Sequence, residues 1–289
     1  MNVELDHIGV AIKDLERGRA AYERLGFTLA PRSIHRGSPT PGAPVIPFGS
    51  GNHCAMFRKG YLEIVGLTDP TIYSNIKAMV EKYEGAHIVA FGVGSADAAY
   101  AELKARGVPI EPARALERDA VYGSQATEKR RAAFRNMYFD PAAYPESRLL
   151  FIEHLTRDVL WQPHLLDHPN GVIALRDVFL CTADAAAAAE KYAALFDVNT
   201  SRAAEGEWRL HINHGYVWIV TPEAWARRAP GAATPPLPAP AGIGFHVQDL
   251  ARTRSLLSGR GVAIQEGTGF IRVAPDDACG ATLFFFDRP

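Results

Sequence analysis

The residues of this chain that could do chemistry are histidines and carboxylates set on otherwise apolar strands. His7 lies in LDHIGVAIKDLERGRAAYERLGF (5–27), which reads as a short strand followed by a helix. Ile8, Val10 and Ile12 form an apolar face at a period of two, and His7 points the other way with Leu5, Gly9 and Ala11. Glu63 lies in YLEIV (61–65) with apolar residues around it. A buried carboxylate without a partner is costly, and a metal ion or a basic side chain would relieve that cost. Asn52 follows two glycines and a serine and could orient a substrate oxygen from a strand start; its neighbour His53 could touch the same substrate. Other chemistries lack their motifs. GVGSAD (92–97) has no third glycine for a dinucleotide fingerprint, and FGSGNH has the wrong spacing for a nucleophile elbow.

Stepping along the chain, the elements that must position these residues repeat. Strand–helix units begin at DHIGVAIKDL, at HIVAFGVGSAD from His87, at RDVFLCTAD from Arg176 and at GIGFHVQDL from Gly242. Each strand ends in a residue able to cap the following helix: Asp14, Ser95, Asp184 and Asp249. Three helices leave through a glycine, Gly26, Gly107 and Gly261, suited to the left-handed turn that closes a helix. Strand-like sequence follows each helix, with hairpin turns expected at Lys59-Gly60 and at His214-Gly215. The module is strand, helix, then about three strands, repeated four times. Unit one aligns with unit three and unit two with unit four, so the chain reads as a duplicated two-module domain. The expected parts are a domain over 1–159, a linker over 160–172 and a second domain over 173–289. The segment 110–147 lacks clean periodicity and is expected to fold over the first domain as a lid, with Tyr122, Phe134 and Arg135 lining the pocket. His164 and His168, in the linker, are expected at the surface.

Composition narrows the classes of function. The 31 basic and 32 acidic residues leave a net charge of −1, which gives no electrostatic case for nucleic acid or an anionic membrane. Three scattered cysteines without a CxxC pair argue against a disulfide framework and fit a reducing compartment. No apolar run approaches the roughly 20 residues that span a bilayer, and the N-terminus leads directly into a strand. The expectation is a cytoplasmic protein whose partners are a small-molecule substrate and a second copy of the chain in a homodimer.

The strand–helix–three-strand module, with the motifs DHIGVAIKDL, FGSGN, GYLEIVGL and WQPHLLDHPNG, resembles the glyoxalase-like families of the vicinal oxygen chelate superfamily. That group includes glyoxalase I, extradiol dioxygenases and bleomycin-resistance proteins. The resemblance covers nearly the whole chain and implies an α+β fold: four βαβββ modules paired into two open, curved β-sheet barrels with flanking helices. It also implies metal ligands on the first and last strands of each module, which in this sequence are His7, Glu63, His87 and Glu153. Two histidines and a carboxylate suit one divalent ion, iron, zinc, manganese, nickel or cobalt.

The second half acts as an internal control. Asp177 takes the His7 position, Trp218 that of Glu63, Ala241 that of His87 and Phe286 that of Glu153. The second domain is therefore expected to lack the metal. The function implied is a divalent-metal-dependent enzyme acting on a small oxygen-chelating organic substrate, as a lyase or isomerase or as a dioxygenase. Glu63 or Glu153 would move a proton, and Asn52, His53 and Arg135 would touch substrate. The alternative is a non-catalytic protein of the bleomycin-resistance type that sequesters a small molecule.

Overall fold

Four helix starts set the architecture, and each is capped by the residue the sequence points to. Asp14 accepts from the backbone N–H of Glu16 and Arg17, Ser95 from Ala98, Asp184 from Ala187, and Asp249 from Ala251 and Arg252. Gly26, Gly107 and Gly261 leave their helices with φ of 83°, 72° and 67°. In the third unit Asp197 does the same at φ 58°, a conformation that aspartate tolerates better than most residues.

The computed structural model of the chain describes residues 1–37 and 43–288. Unit one comprises β1 (Val3–Ile12), α1 (Leu15–Arg24), β2 (Ser33–Gly37), β3 (Ile46–Met56) and β4 (Tyr61–Leu67), followed by the short helix α2 (Lys77–Lys82). Unit two comprises β5 (Gly85–Val93), α3 (Ala96–Ala105), β6 (Arg114–Tyr122), β7 (Glu128–Tyr138) and β8 (Arg148–His154), followed by α4 (Arg157–Leu160). Unit three repeats unit one with β9 (Val172–Cys181), α5 (Ala185–Phe196), β10 (Thr200–Ala204), β11 (Glu207–His211) and β12 (Tyr216–Val220), followed by α6 (Pro222–Arg228). Unit four closes the chain with β13 (Ala239–Val247), α7 (Leu250–Gly259), β14 (Ile264–Gly267), β15 (Phe270–Val273) and β16 (Thr282–Phe286).

Two eight-stranded mixed sheets result, with strand orders β2-β3-β4-β1-β5-β8-β7-β6 and β10-β11-β12-β9-β13-β16-β15-β14. The fold is the α+β arrangement of paired βαβββ modules. Residues 110–147 are not a lid. They supply β6 and β7, which pair from Arg114 with Asn136 to Tyr122 with Glu128 and form one edge of the first sheet. Their alternation is obscured because most of β6 is exposed on both faces.

One face of each sheet packs into a core that the halves share. Phe27, just after α1, meets Phe245 of β13 at 5.3 Å and Phe285 of β16 at 6.3 Å. Reciprocally, Phe196 of α5 meets Phe91 of β5 at 4.7 Å and Phe151 of β8 at 6.4 Å. The backbone repeats this exchange: Leu5 N donates to His214 O at 2.8 Å and Leu175 N to Lys59 O at 2.9 Å. The segment between the sheets is tied into this core. His168, expected at the surface, is buried. Its Nε2 donates to Met56 O at 2.8 Å while its Nδ1 accepts from Thr28 N at 3.0 Å.

The other face of each sheet lines the inside of its curl. In the first sheet the opposite edges meet there, since the Arg118 guanidinium of β6 donates to the Ser33 hydroxyl of β2. Register also corrects one correspondence between the halves. Phe91 pairs with Phe151 and Phe245 with Phe285, so the residue equivalent to Glu153 is Asp287, and Phe286 matches Ile152.

Candidate active site

The first trough is organised by an irregularity in β1. Leu5 pairs with Phe91 and His7 with Ala90, which leaves Asp6 as an extra residue in the strand. Such a bulge breaks the two-residue alternation. Leu5 consequently joins Ile8 and Val10 in the core rather than accompanying His7. Asp6 and His7, both 5% exposed, become partners: Nδ1 of His7 lies 2.8 Å from Asp6 Oδ1. His154, at the end of β8, completes the group, with Nε2 at 3.2 and 3.1 Å from the two Asp6 oxygens.

Burial pushes the Asp6 carboxyl up, but His154 and then His7 outweigh it by charge and hydrogen bonding and hold it well below the usual carboxylate range. Asp6 is therefore an ionised acceptor, and each histidine turns an N–H toward it. For His7 this fixes the tautomer: Nδ1 carries the proton and Nε2 presents its lone pair. The wall is aromatic. Tyr61 stacks on His7 at 4.4 Å, and Trp161 stands edge-on to His154 at 5.0 Å and to Tyr61 at 5.6 Å. Burial, reinforced by the Asp6 charge, pushes the Tyr61 phenol well above its ordinary pKa, so it stays a neutral donor. A cavity of about 30 Å³ opens beside Tyr61, between Asn52, Cys54, Met56 and Leu160, and Arg118 is the one charged side chain among its described lining residues. Burial, with Glu63 nearby, pushes the Cys54 thiol up to about 12, which makes it a packing group rather than a nucleophile.

The residues singled out from sequence divide by strand face. His7 is part of the cluster. Glu63 lies on the trough side, two residues beyond Tyr61, where the Asn52 amide donates to it. His53, adjacent to Asn52, falls on the opposite face and its Nδ1 donates to Ala30 O at 2.8 Å. Glu153 also faces away from the trough. Its Oε2 accepts from Ala96 N at 2.9 Å and caps α3. Arg135 pairs with Asp97 of α3 at 2.7 and 2.6 Å and stays on that helix side. His87 stacks on Tyr83 at 3.8 Å and its Nε2 donates to Tyr83 O at 3.0 Å; burial lowers its pKa, partly offset by that bond.

The capping residues explain these placements. Counting back from Asp14 and Ser95, the unit-two equivalent of His7 is Ile88 and that of Asp6 is His87. By strand register the equivalent of Glu63 is Leu150. Ile88 and Leu150 pack with Ala11, Val65 and with Ile76 and Val80 beside and on α2 as an apolar plug. Of the four expected ligands, His7 and Glu63 thus reach the trough, while His87 and Glu153 are engaged elsewhere. Among the described residues no three His, Cys, Asp or Glu side chains converge as a metal-binding group. The two histidines and the carboxylate that do meet, His7, His154 and Asp6, turn their polar atoms toward one another in hydrogen bonds, so as arranged they do not fit a divalent ion.

Sequence reasoning missed Asp6, Tyr61, Arg118 and Trp161, and it set Glu153 where a shift of one residue puts His154. One signal for the first was available: the second half carries Arg176-Asp177 where the first carries Asp6-His7. Two adjacent polar residues in both copies are hard to reconcile with plain alternation. The second copy indeed has its own bulge, with Gly244 opposite Asp177 and Phe245 opposite Leu175.

The fold and the trough define a class of proteins built from paired βαβββ modules, the vicinal oxygen chelate superfamily. Within it, residues 5–196 match the family described as glyoxalase-like domain, and the chain belongs to that family. Comparison with solved structures agrees on the fold. A hypothetical protein from Staphylococcus aureus is similar with a TM-score of 0.63 at 12% identity, covering 98% of each chain. The Mn(II)-bound glyoxalase from Novosphingobium aromaticivorans is similar with a TM-score of 0.53 at 12% identity, covering 98% of this chain and 81% of that one. A variant of homoprotocatechuate 2,3-dioxygenase from B. fuscum is similar with a TM-score of 0.52 at 11% identity, covering 99% of this chain and 72% of that one. No curated protein matches the chain significantly. No helix among the described residues is long and apolar enough to cross a membrane.

Proposed function

We propose that this chain is an enzyme of lyase or isomerase type that moves a proton on a small anionic organic substrate in the first trough. The observation that carries this reading is the buried Asp6 carboxylate between His7 and His154. With Nδ1–H held by Asp6, the Nε2 lone pair of the neutral His7 imidazole is the base, and the imidazolium formed when it takes a proton is stabilised by the same carboxylate. Tyr61, kept neutral by burial, is a donor for the oxygen on which charge develops. Arg118, whose hydrogen-bond partner is a neutral hydroxyl, is placed to meet a carboxylate or similar group of the substrate. Met56, Leu160 and Trp161 favour an apolar body for the same molecule.

The manganese named for the Novosphingobium glyoxalase and the oxygen chemistry of the dioxygenase belong to those proteins. Here His7 and His154 are committed to Asp6, and Glu63 to Asn52, and the proton transfer proposed is assigned to the His7 imidazole itself. The test is a solvent-exchange assay: a panel of small oxo and hydroxy acids is incubated with the protein in D2O and followed by proton NMR. Loss of a C–H signal is expected with the parent, without added metal, and not with His7→Ala. Binding of panel members with no exchange or turnover would instead make this a sequestering protein.

A further inference from the structure

Asn52 on β3 is 6% exposed and lines the cavity beside Tyr61. Its amide is not free to turn. Nδ2 donates to Glu63 Oε1 on the neighbouring strand β4. A carboxylate accepts hydrogen bonds and has none to give, so the amide nitrogen must face Glu63 and the amide oxygen must face away from it. That oxygen, Oδ1, takes no hydrogen bond among the described residues and is not sealed from solvent. It is a fixed acceptor left to the cavity.

The same wall carries a cation. Ser33 of β2 is the cross-strand partner of Asn52, and its hydroxyl accepts from Arg118, which lines the same cavity. Directly opposed side chains stand about 5 Å apart at their Cβ atoms, so the guanidinium and the amide oxygen address one ligand. Cys54 and Tyr61, on the same wall, both feel the negative charge of Glu63 and the positive charge of Arg118. The second trough has no such arrangement. By register Glu207 and Trp218 stand at the positions of Asn52 and Glu63. Glu207 pairs with Arg228, and Trp218 Nε1 donates at 2.6 Å to Asp177, which also accepts from Arg176 at 2.5 Å. The sheet is thus built without an oriented amide, and the Asn52–Glu63 pair is not a demand of the fold.

The first trough offers one acceptor from Asn52, one cation from Arg118 and one neutral donor from Tyr61. An oxo group placed at Asn52 would set two acceptors against each other, whereas a hydroxyl donates to it. We infer that Asn52, oriented by Glu63, selects the class of substrate: a small hydroxy carboxylic acid, its hydroxyl donating to Asn52 Oδ1 and its carboxylate meeting Arg118. This rests on the reading of the first trough as the substrate site and adds the functional group that the ligand carries there.

The test is calorimetric titration of the full chain with lactate against pyruvate and with 2-hydroxybutyrate against 2-oxobutyrate. Within each pair the skeleton and the charge are the same. In at least one pair the hydroxy acid should bind about tenfold more tightly. Glu63→Gln supplies the decisive comparison. A glutamine side chain both donates and accepts, so the Asn52 amide can present either end, and the ratio should fall to about twofold or less. Losing the Glu63 charge changes the affinity for both members alike, so the ratio isolates the amide. Asn52→Leu should level the pair in the same way, and it decides the matter if Glu63→Gln does not fold. Equal affinities, an oxo preference or no binding in the parent would overturn the inference. So would a ratio unchanged in the variants, or alanine binding more tightly than lactate. A hydroxy preference without C–H exchange in D2O would leave the inference standing and remove the proton transfer; exchange without the preference would do the reverse.

Discussion

Asp6 is the residue on which the first trough depends, because two histidines share it and, among the described residues, no lysine or arginine pairs with it. Truncation to alanine leaves two buried imidazoles facing each other across a lost acceptor. Asp6→Ala should lower stability by about 3 kcal/mol in denaturant unfolding, the scale for breaking a buried charged pair. The pH dependence has a definite sign. The folded-state pKa of Asp6 lies below its unfolded value of about 3.9, so its contribution is complete above that value and declines as pH falls toward the folded pKa. The stability gap between the parent and Asp6→Asn should therefore be flat from about pH 5 upward and narrow below about pH 4. A gap that is flat down to pH 2 would mean that folding does not shift the Asp6 pKa, and a gap that changes in the parent's favour as pH falls would mean that Asp6 is protonated in the folded protein. His7→Ala should abolish exchange chemistry while leaving Arg118 to bind substrate, so kcat falls far more than KM rises. A loss confined to KM would place His7 in binding only.

Strands and helix caps decide which of the sequence-predicted residues can act. The caps at Asp14, Ser95, Asp184 and Asp249, the glycine exits and the hairpin turns were legible because they depend on residues close in sequence. The duplication was legible for the same reason. The faces of β1 and β5 were not, because a single-residue bulge moves every side chain beyond it to the other side, and the bulge is set by pairing with a distant strand; β8 runs in continuous register, and there a one-residue alignment choice decides the face. That is why plain alternation groups Leu5 with His7 and expects His87 in the trough, and why a shift of one residue along β8 exchanges Glu153 for His154. Glu153 gives the sharpest test at this scale. As a helix cap it stabilises α3, and Glu153→Ala should cost about 1 kcal/mol while leaving ligand binding and turnover unchanged. Loss of activity without loss of stability would return Glu153 to the chemistry.

At the scale of the whole molecule, the two sheets are less independent than their separate stretches of sequence imply. Phe27 from the first half fills space against Phe245 and Phe285, and Phe196 from the second fills space against Phe91 and Phe151. Each half thus completes the other's core, as in the contact of a symmetric dimer, with the covalent connection making the pairing intramolecular. Such a core should unfold in one step. Phe27→Ala removes a large side chain from the shared core and should destabilise the chain by about 3–5 kcal/mol. Its effect should reach both halves together: the fluorescence of Trp161 beside the first trough and of Trp218 and Trp225 in the second, read in single-tryptophan variants, should report coincident transitions. Separate midpoints, with the first half melting while the second stays folded, would show two autonomous units. In that case His7, His154 and Tyr61 would rest on the first sheet alone. Coincident midpoints would mean that the geometry of the first trough depends on the second half, whose packing would then be the reason that half persists without a proton-transfer site of its own.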